Sequence, residues 1–135
     1  MNIAAMMIPK ISTVFLHETD TLRQGLERLT VHAYTAVPVL NEQEQYIGSV
    51  TEGDFLRCLL KIQTTERKAL EQYRIASLVR RDFCPPLSID AELGQVVSAA
   101  LNQNFVPIVD SRKVLCGILT RRILIGYLAK TYEKA

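Results

Sequence analysis

A chain of 135 residues that is 48% apolar and 22% charged has the make-up of an ordinary soluble globular protein, and its length allows one compact body or two small halves sharing a core. The formal net charge is +2 and no basic stripe is interleaved with aromatics, which argues against a nucleic-acid surface. No run approaches the roughly 20 apolar residues that a bilayer span requires. The opening Met1–Met7 is apolar but lacks a basic flank and a clean cleavage site, so a secretory signal is not expected. Cys58, Cys84 and Cys116 are odd in number and form no C-x-x-C pair, which disfavours zinc and a disulfide framework and suits a reducing cytoplasm.

In chain order, Ser12-Thr13-Val14-Phe15-Leu16 reads as a short β-type run. Asp20 or Thr21 can cap a helix whose apolar stripe is Leu22, Leu26, Leu29 and Ala33. A hairpin is expected from about Ala36 to Thr51, with Asn41–Gln45 as its loop. Thr51-Glu52-Gly53-Asp54 opens a second helix carrying Phe55, Leu56, Leu59, Leu60 and Ile62. Residues 63–74 are charged and contain neither Gly nor Pro, so they read as a partly helical connection rather than a flexible linker. Pro85-Pro86 leads into a short strand, Leu87-Ser88-Ile89, and Asp90 stands ready to cap a helix carrying Leu93, Val96, Val97, Ala100 and Leu101. A second hairpin, with Asp110–Lys113 as its loop, precedes a final helix from about Arg121 to about Tyr132.

The two hairpins are copies. Val37-Pro38-Val39-Leu40 and Ile47-Gly48-Ser49-Val50-Thr51 return 69 positions later as Val106-Pro107-Ile108-Val109 and Cys116-Gly117-Ile118-Leu119-Thr120. Two copies of one supersecondary unit are expected to fold together, because each alone would be marginal. The division is residues 1–62 for the first repeat, 63–74 for the connection and 75–135 for the second.

Two helix starts carry chemistry. Thr51-x-x-Asp54 has two compatible readings: a cap, with Thr at the N-cap and an acid in the first turn, or a carboxylate that accepts both hydroxyls of a ribose. Thr120-Arg121-Arg122 places two cations at the positive end of a helix, each misplaced by roughly 0.3–1 kcal/mol, and free amides beside guanidinium groups make an anion site. The bland alternative is that both arginines point into solvent or pair with acids. His17 and His32 have no partner at metal spacing. Tyr34 and Phe105 stand before the two hairpins as core, pocket wall or a surface for a base. No nucleophile–base pair, Gly-rich phosphate loop or paired metal carboxylates is evident, so an enzyme is the weaker class.

Strand-helix-strand-strand-helix, given twice with these Pro, Gly, Thr and Asp positions, resembles a pair of CBS domains. The implied fold is α+β: two tandem CBS repeats in a pseudo-two-fold Bateman module, with Thr51 and Asp54 holding the ribose of an adenine nucleotide. In the second repeat Thr120 matches, whereas Ile123 stands in place of the Asp. The segments Tyr34–Leu40, Asn104–Val106 and Gly117–Arg122 also resemble the stand-alone CBS proteins that bind cyclic di-AMP in Gram-positive bacteria. That resemblance implies phosphate contacts from the Thr120-Arg121-Arg122 turn and a base held by Thr35 and Ala36, with Phe105 among the ligand-binding residues. Ser12 and Val14 would contribute from the strand before the first helix. It further implies a cytoplasmic homodimer of disc shape, with no cofactor beyond the nucleotide held in a cleft between the repeats, reporting occupancy to a stringent-response or metabolic enzyme. The alternatives are an AMP, ADP or ATP sensor using Thr51 and Asp54, and a ligand-free dimeric scaffold.

Overall fold

The structure, a computed structural model, describes residues 2–32 and 35–134. In chain order the elements are α1 (Ile3–Met6), β1 (Ile8–Pro9), a 3₁₀ turn (Lys10–Ser12), β2 (Leu16–His17), α2 (Leu22–His32), β3 (Ala36–Leu40), β4 (Tyr46–Thr51) and α3 (Glu52–Ile62). There follow α4 (Arg67–Leu70), a second 3₁₀ turn (Ile75–Ser77), β5 (Leu87–Ser88), α5 (Leu93–Ala100), β6 (Phe105–Val109), β7 (Leu115–Thr120) and α6 (Arg121–Lys134). They form two compact units: a central one, Val14–Phe83, and a terminal one that joins Met1–Thr13 to Cys84–Ala135. Expected β structure at residues 12–14 is instead the end of the 3₁₀ turn and extended chain, and the strand proper is only Leu16–His17.

The central unit is built on a sheet of order β2-β3-β4, with β2 parallel to β3 and the β3–β4 hairpin antiparallel. Val37, Val39 and Val50 from the sheet, Leu22 and Leu29 from α2, and Phe55 from α3 form its core with Leu16, Leu70 and Ile75. Thr21 starts α2: its hydroxyl accepts the Gln24 N–H at 3.1 Å, and the Gln24 side chain accepts the Thr21 N–H at 2.8 Å. Asp20, the other expected cap, accepts the His17 N–H instead. Leu22 N–H donates to Tyr73 O and Ile75 N–H to Asp20 O, so the connection from α4 onward is tied to the start of α2.

The terminal unit has the order β1-β7-β6-β5, with β5 parallel to β6 and the other pairs antiparallel. Its core is Ile3, Val96, Val106, Ile108, Leu119 and Leu124. Helix α5 starts at Leu93 with Glu92 at its N-cap, whose N–H donates to the Gln95 side chain at 2.9 Å. Asp90 therefore stands ahead of the helix and not at its cap.

The repeat seen in sequence persists in detail. Both hairpins shift register at the same place, between Val39 and Leu40 and between Ile108 and Val109. In both loops a carboxamide or carboxylate accepts two backbone N–H groups: Asn41 from Gln43 and Gln45, Asp110 from Arg112 and Val114. Glu44 and Lys113 take the left-handed conformation these turns need, at φ 63° and 66°.

Candidate functional site

Each hairpin delivers its last strand directly into a helix, and the expected site residues other than Ser12 and Val14 lie at those two junctions. In the central unit Ala36 pairs with Thr51 across the hairpin, and the Glu52 N–H donates to Thr35 O at 2.9 Å. Thr51 and Asp54 close a capping box: Thr51 Oγ1 accepts the Asp54 N–H at 3.2 Å, and Asp54 Oδ2 accepts the Thr51 N–H at 2.8 Å. Thr35, Ala36, Thr51 and Asp54 are thus brought together. Val14 is half-buried against the core of the same unit.

Two arginines that the sequence reading left out complete this junction. Asp54 Oδ1 accepts from Arg57 Nη2 at 2.6 Å and from Arg80 Nε at 3.0 Å. Burial is the largest single influence on the Asp54 carboxyl and opposes its ionisation. The Thr51 backbone N–H, the Arg57 donor, the Thr51 side chain and the Arg80 charge together outweigh it, and hold the carboxyl below the usual carboxylate range. Arg80 also lies 5.0 Å from the centroid of the Phe83 ring. Arg57 was legible as an i+3 neighbour of Asp54; Arg80, 26 residues away, was not.

In the terminal unit Phe105 pairs with Thr120, and Thr120 Oγ1 accepts the Ile123 N–H at 3.2 Å, capping α6. Phe105 itself is buried. The two arginines then part. Arg121 Nε donates to Ala100 O at 2.7 Å and its Nη2 to Leu101 O at 3.4 Å, so its guanidinium satisfies free carbonyls where α5 ends. Arg122 is exposed and makes no hydrogen bond or ion pair among the described residues. Ser12 is exposed at the end of the turn that packs against β7. Tyr34 and Ala33 lie outside the described residues. His17 is half-buried and its Nε2 meets the Glu44 carboxylate.

Among the described residues no helix is long and apolar enough to cross a membrane, and no group of three or more His, Cys, Asp or Glu is placed to hold a metal ion.

Comparison with known proteins agrees with this architecture. Residues 3–61 match the model of the CBS domain family. Cyclic di-AMP receptor B of Bacillus subtilis (strain 168) is 24% identical over 129 residues, which cover 96% of this chain and 87% of that protein. Among solved structures, CbpB in complex with c-di-AMP superposes with a TM-score of 0.89 at 19% identity, covering 99% of this chain and 88% of the other. The Listeria monocytogenes CbpB protein in complex with c-di-AMP gives a TM-score of 0.84 at 22% identity, with all of both chains covered. Residues 3–61 are thus similar to the CBS domain family, and the chain as a whole has the fold of the CbpB structures, with which it shares the tandem arrangement of repeats.

Proposed function

We infer that this chain is a regulatory nucleotide-binding protein, not an enzyme, that senses cyclic di-AMP in the cytoplasm and modulates a partner protein. The observation that carries the reading is the cyclic di-AMP receptor of Bacillus subtilis, matched along nearly the whole chain. The geometry of the α6 start agrees with it. Thr120 caps the helix and Arg122 is an exposed cation with no hydrogen bond or ion pair among the described residues, suited to one phosphodiester of the ligand. Thr35, Ala36, Phe105, Ser12 and Val14 are assigned to the ligand on the same resemblance. The AMP-type alternative requires a ribose at Asp54, whose oxygens already accept from Thr51, Arg57 and Arg80. The protein would act as a homodimer whose ligand-bound and free forms differ in affinity for the regulated enzyme, a stringent-response or metabolic one by family likeness.

The test is calorimetry with cyclic di-AMP. One charge-assisted hydrogen bond contributes about 1.5–3 kcal/mol, so Arg122→Ala should weaken binding roughly ten- to a hundredfold. The free Arg122→Ala protein should melt unchanged or slightly higher, since a cation has left a positive helix end. Arg121→Ala should lower the melting temperature, because the Ala100 and Leu101 carbonyls lose their donors. Wild-type affinity in Arg122→Ala would remove the phosphate assignment; a wild type that ignores cyclic di-AMP would remove the sensor reading.

A further inference from the structure

The start of β6 is held on one side by side chains and not by a strand. Strand β5 pairs only as Leu87–Ser88 with Ile108–Val109, and the Ile89 N–H adds a bond to Val109 O at 2.9 Å. The same register continued backwards sets Pro86 beside Pro107, Pro85 beside Val106 and Cys84 beside Phe105. Neither Pro85 nor Pro86 has an N–H to give, so the ladder stops short of the residue where β6 begins. Two side chains reach that residue instead. Cys84 Sγ donates to Phe105 O at 3.1 Å, and Gln103 Nε2 donates to the same oxygen at 3.0 Å.

Both donors are themselves fixed. Gln103 Nε2 also donates to Pro85 O at 3.1 Å and to Cys84 Sγ at 3.2 Å, and the Gln103 backbone N–H donates to Ala99 O in the last turn of α5. One carboxamide therefore ties the end of α5, the proline segment and the first residue of β6 together. Cys84 is buried and takes φ 64°, a left-handed conformation that is unfavourable for a residue with a Cβ. All of these residues belong to the terminal unit. What they hold is the segment that meets the start of α6: Phe105 pairs with Thr120, and Asn104 O accepts the Arg121 N–H at 3.4 Å. That bond is long, so the spacing between segment and turn is set largely by how Phe105 is held.

We propose that Cys84 and Gln103 are positioning residues for the α6 turn: by sharing the Phe105 carbonyl they set the Asn104–Phe105 segment against Thr120–Arg122 and so tune its affinity for cyclic di-AMP. This rests on the cyclic di-AMP reading above. Two donors on one acceptor back each other up, because either alone keeps the buried carbonyl bonded. Calorimetry on a double-mutant cycle tests the point. Gln103→Met, of similar length but without a donor, and Cys84→Ala should each weaken cyclic di-AMP binding about two- to threefold. Together they leave the carbonyl bare and should weaken it about thirtyfold, more than the product of the single losses. Cys84→Ser in place of Cys84→Ala restores a donor and should return the double variant to the affinity of Gln103→Met alone. In the free proteins, the NMR signals of the Phe105 carbonyl carbon and the Arg121 amide should move slightly in the single variants and strongly in the double one, with residues 36–54 unmoved. If circular dichroism shows the double variant unfolded, the single variants decide: their two- to threefold losses support the clamp, and wild-type affinity in both overturns it. Wild-type affinity in a folded double variant, losses that merely multiply, or no recovery with Cys84→Ser overturns the proposal while the sensor reading stands. A wild type that ignores cyclic di-AMP removes the sensor reading and this inference with it.

Discussion

Asp54 shows how far one side chain departs from what its motif suggests. Thr-x-x-Asp at a helix start specifies the cap, and the cap is there, but the carboxylate also fastens Arg80 and Arg57. Its lowered pKa fixes the sign of a pH effect. A carboxyl that ionises more readily in the folded chain stabilises the fold above its unfolded value of about 4, and that contribution is lost as pH falls through the lower folded value. Urea unfolding at pH 7 and at pH 3 should therefore show a larger loss for wild type than for Asp54→Asn. At pH 7 the variant should be less stable by about 1–3 kcal/mol. Equal losses in the two proteins would mean that Asp54 contributes nothing through its charge. The Thr51–Asp54 cap was legible because it is local in sequence. The partner of Arg121 was not, because a helix C-terminus 20 residues earlier offers its carbonyls only after the α5–β6 corner has formed. The two cations at the α6 start are thus not equivalent, and half of the expected anion site already has a structural task.

At the scale of elements, the paired hairpins and the helices after them were readable from the 69-residue repeat, since Val, Ile and Pro positions fix strands locally. What each hairpin carries on its outer edge was not. β1 lies antiparallel on β7, with Pro9 opposite Gly117, and Arg80 bridges Ser49 by mutual backbone hydrogen bonds of 3.0 and 3.2 Å. These segments lie far along the chain from the strands they join, so no periodicity announces them. The repeated glycine does record them in retrospect. A Cβ on Gly117 would stand 2.2 Å from Ile8 O, and one on Gly48, at φ +153°, would stand 2.5 Å from Arg80 O. Both obstacles are backbone, which cannot swing aside as a side chain can. Gly117→Ala should cost about 1–3 kcal/mol in chemical unfolding and speed hydrogen exchange around residues 6–13. Unchanged exchange there would show that β1 is not held by its approach to Gly117.

For the whole molecule, the apolar surface left uncovered is what points to assembly. The helices after the two hairpins carry Leu56, Leu59, Leu60, Leu124 and Leu128. Leu124 is buried, and Leu59 packs against the central cluster. Leu56, Leu60 and Leu128 remain exposed, and Ile125 joins them at 65% exposure, at the position matching Leu56 in the other repeat. The C-cap of α5, Leu101, adds to the face on α6, where an apolar groove of about 380 Å³ lies between Val97, Leu101, Ile125 and Leu128. Each unit therefore exposes aliphatic side chains on the helix after its hairpin. A lone Leu at the surface needs no explanation, but matched clusters on both repeats do. A closed two-fold assembly buries the same patch on both copies, which suits helices that are themselves repeated. Light scattering at concentrations on the order of tens of micromolar should give twice the chain mass. Leu56→Glu combined with Ile125→Glu places a carboxylate in each cluster without touching either core, and should return the protein to a monomer that keeps its helical circular dichroism. A monomeric wild type would show that these faces serve another partner, and a doubly substituted protein that stays dimeric would place the interface elsewhere on the surface.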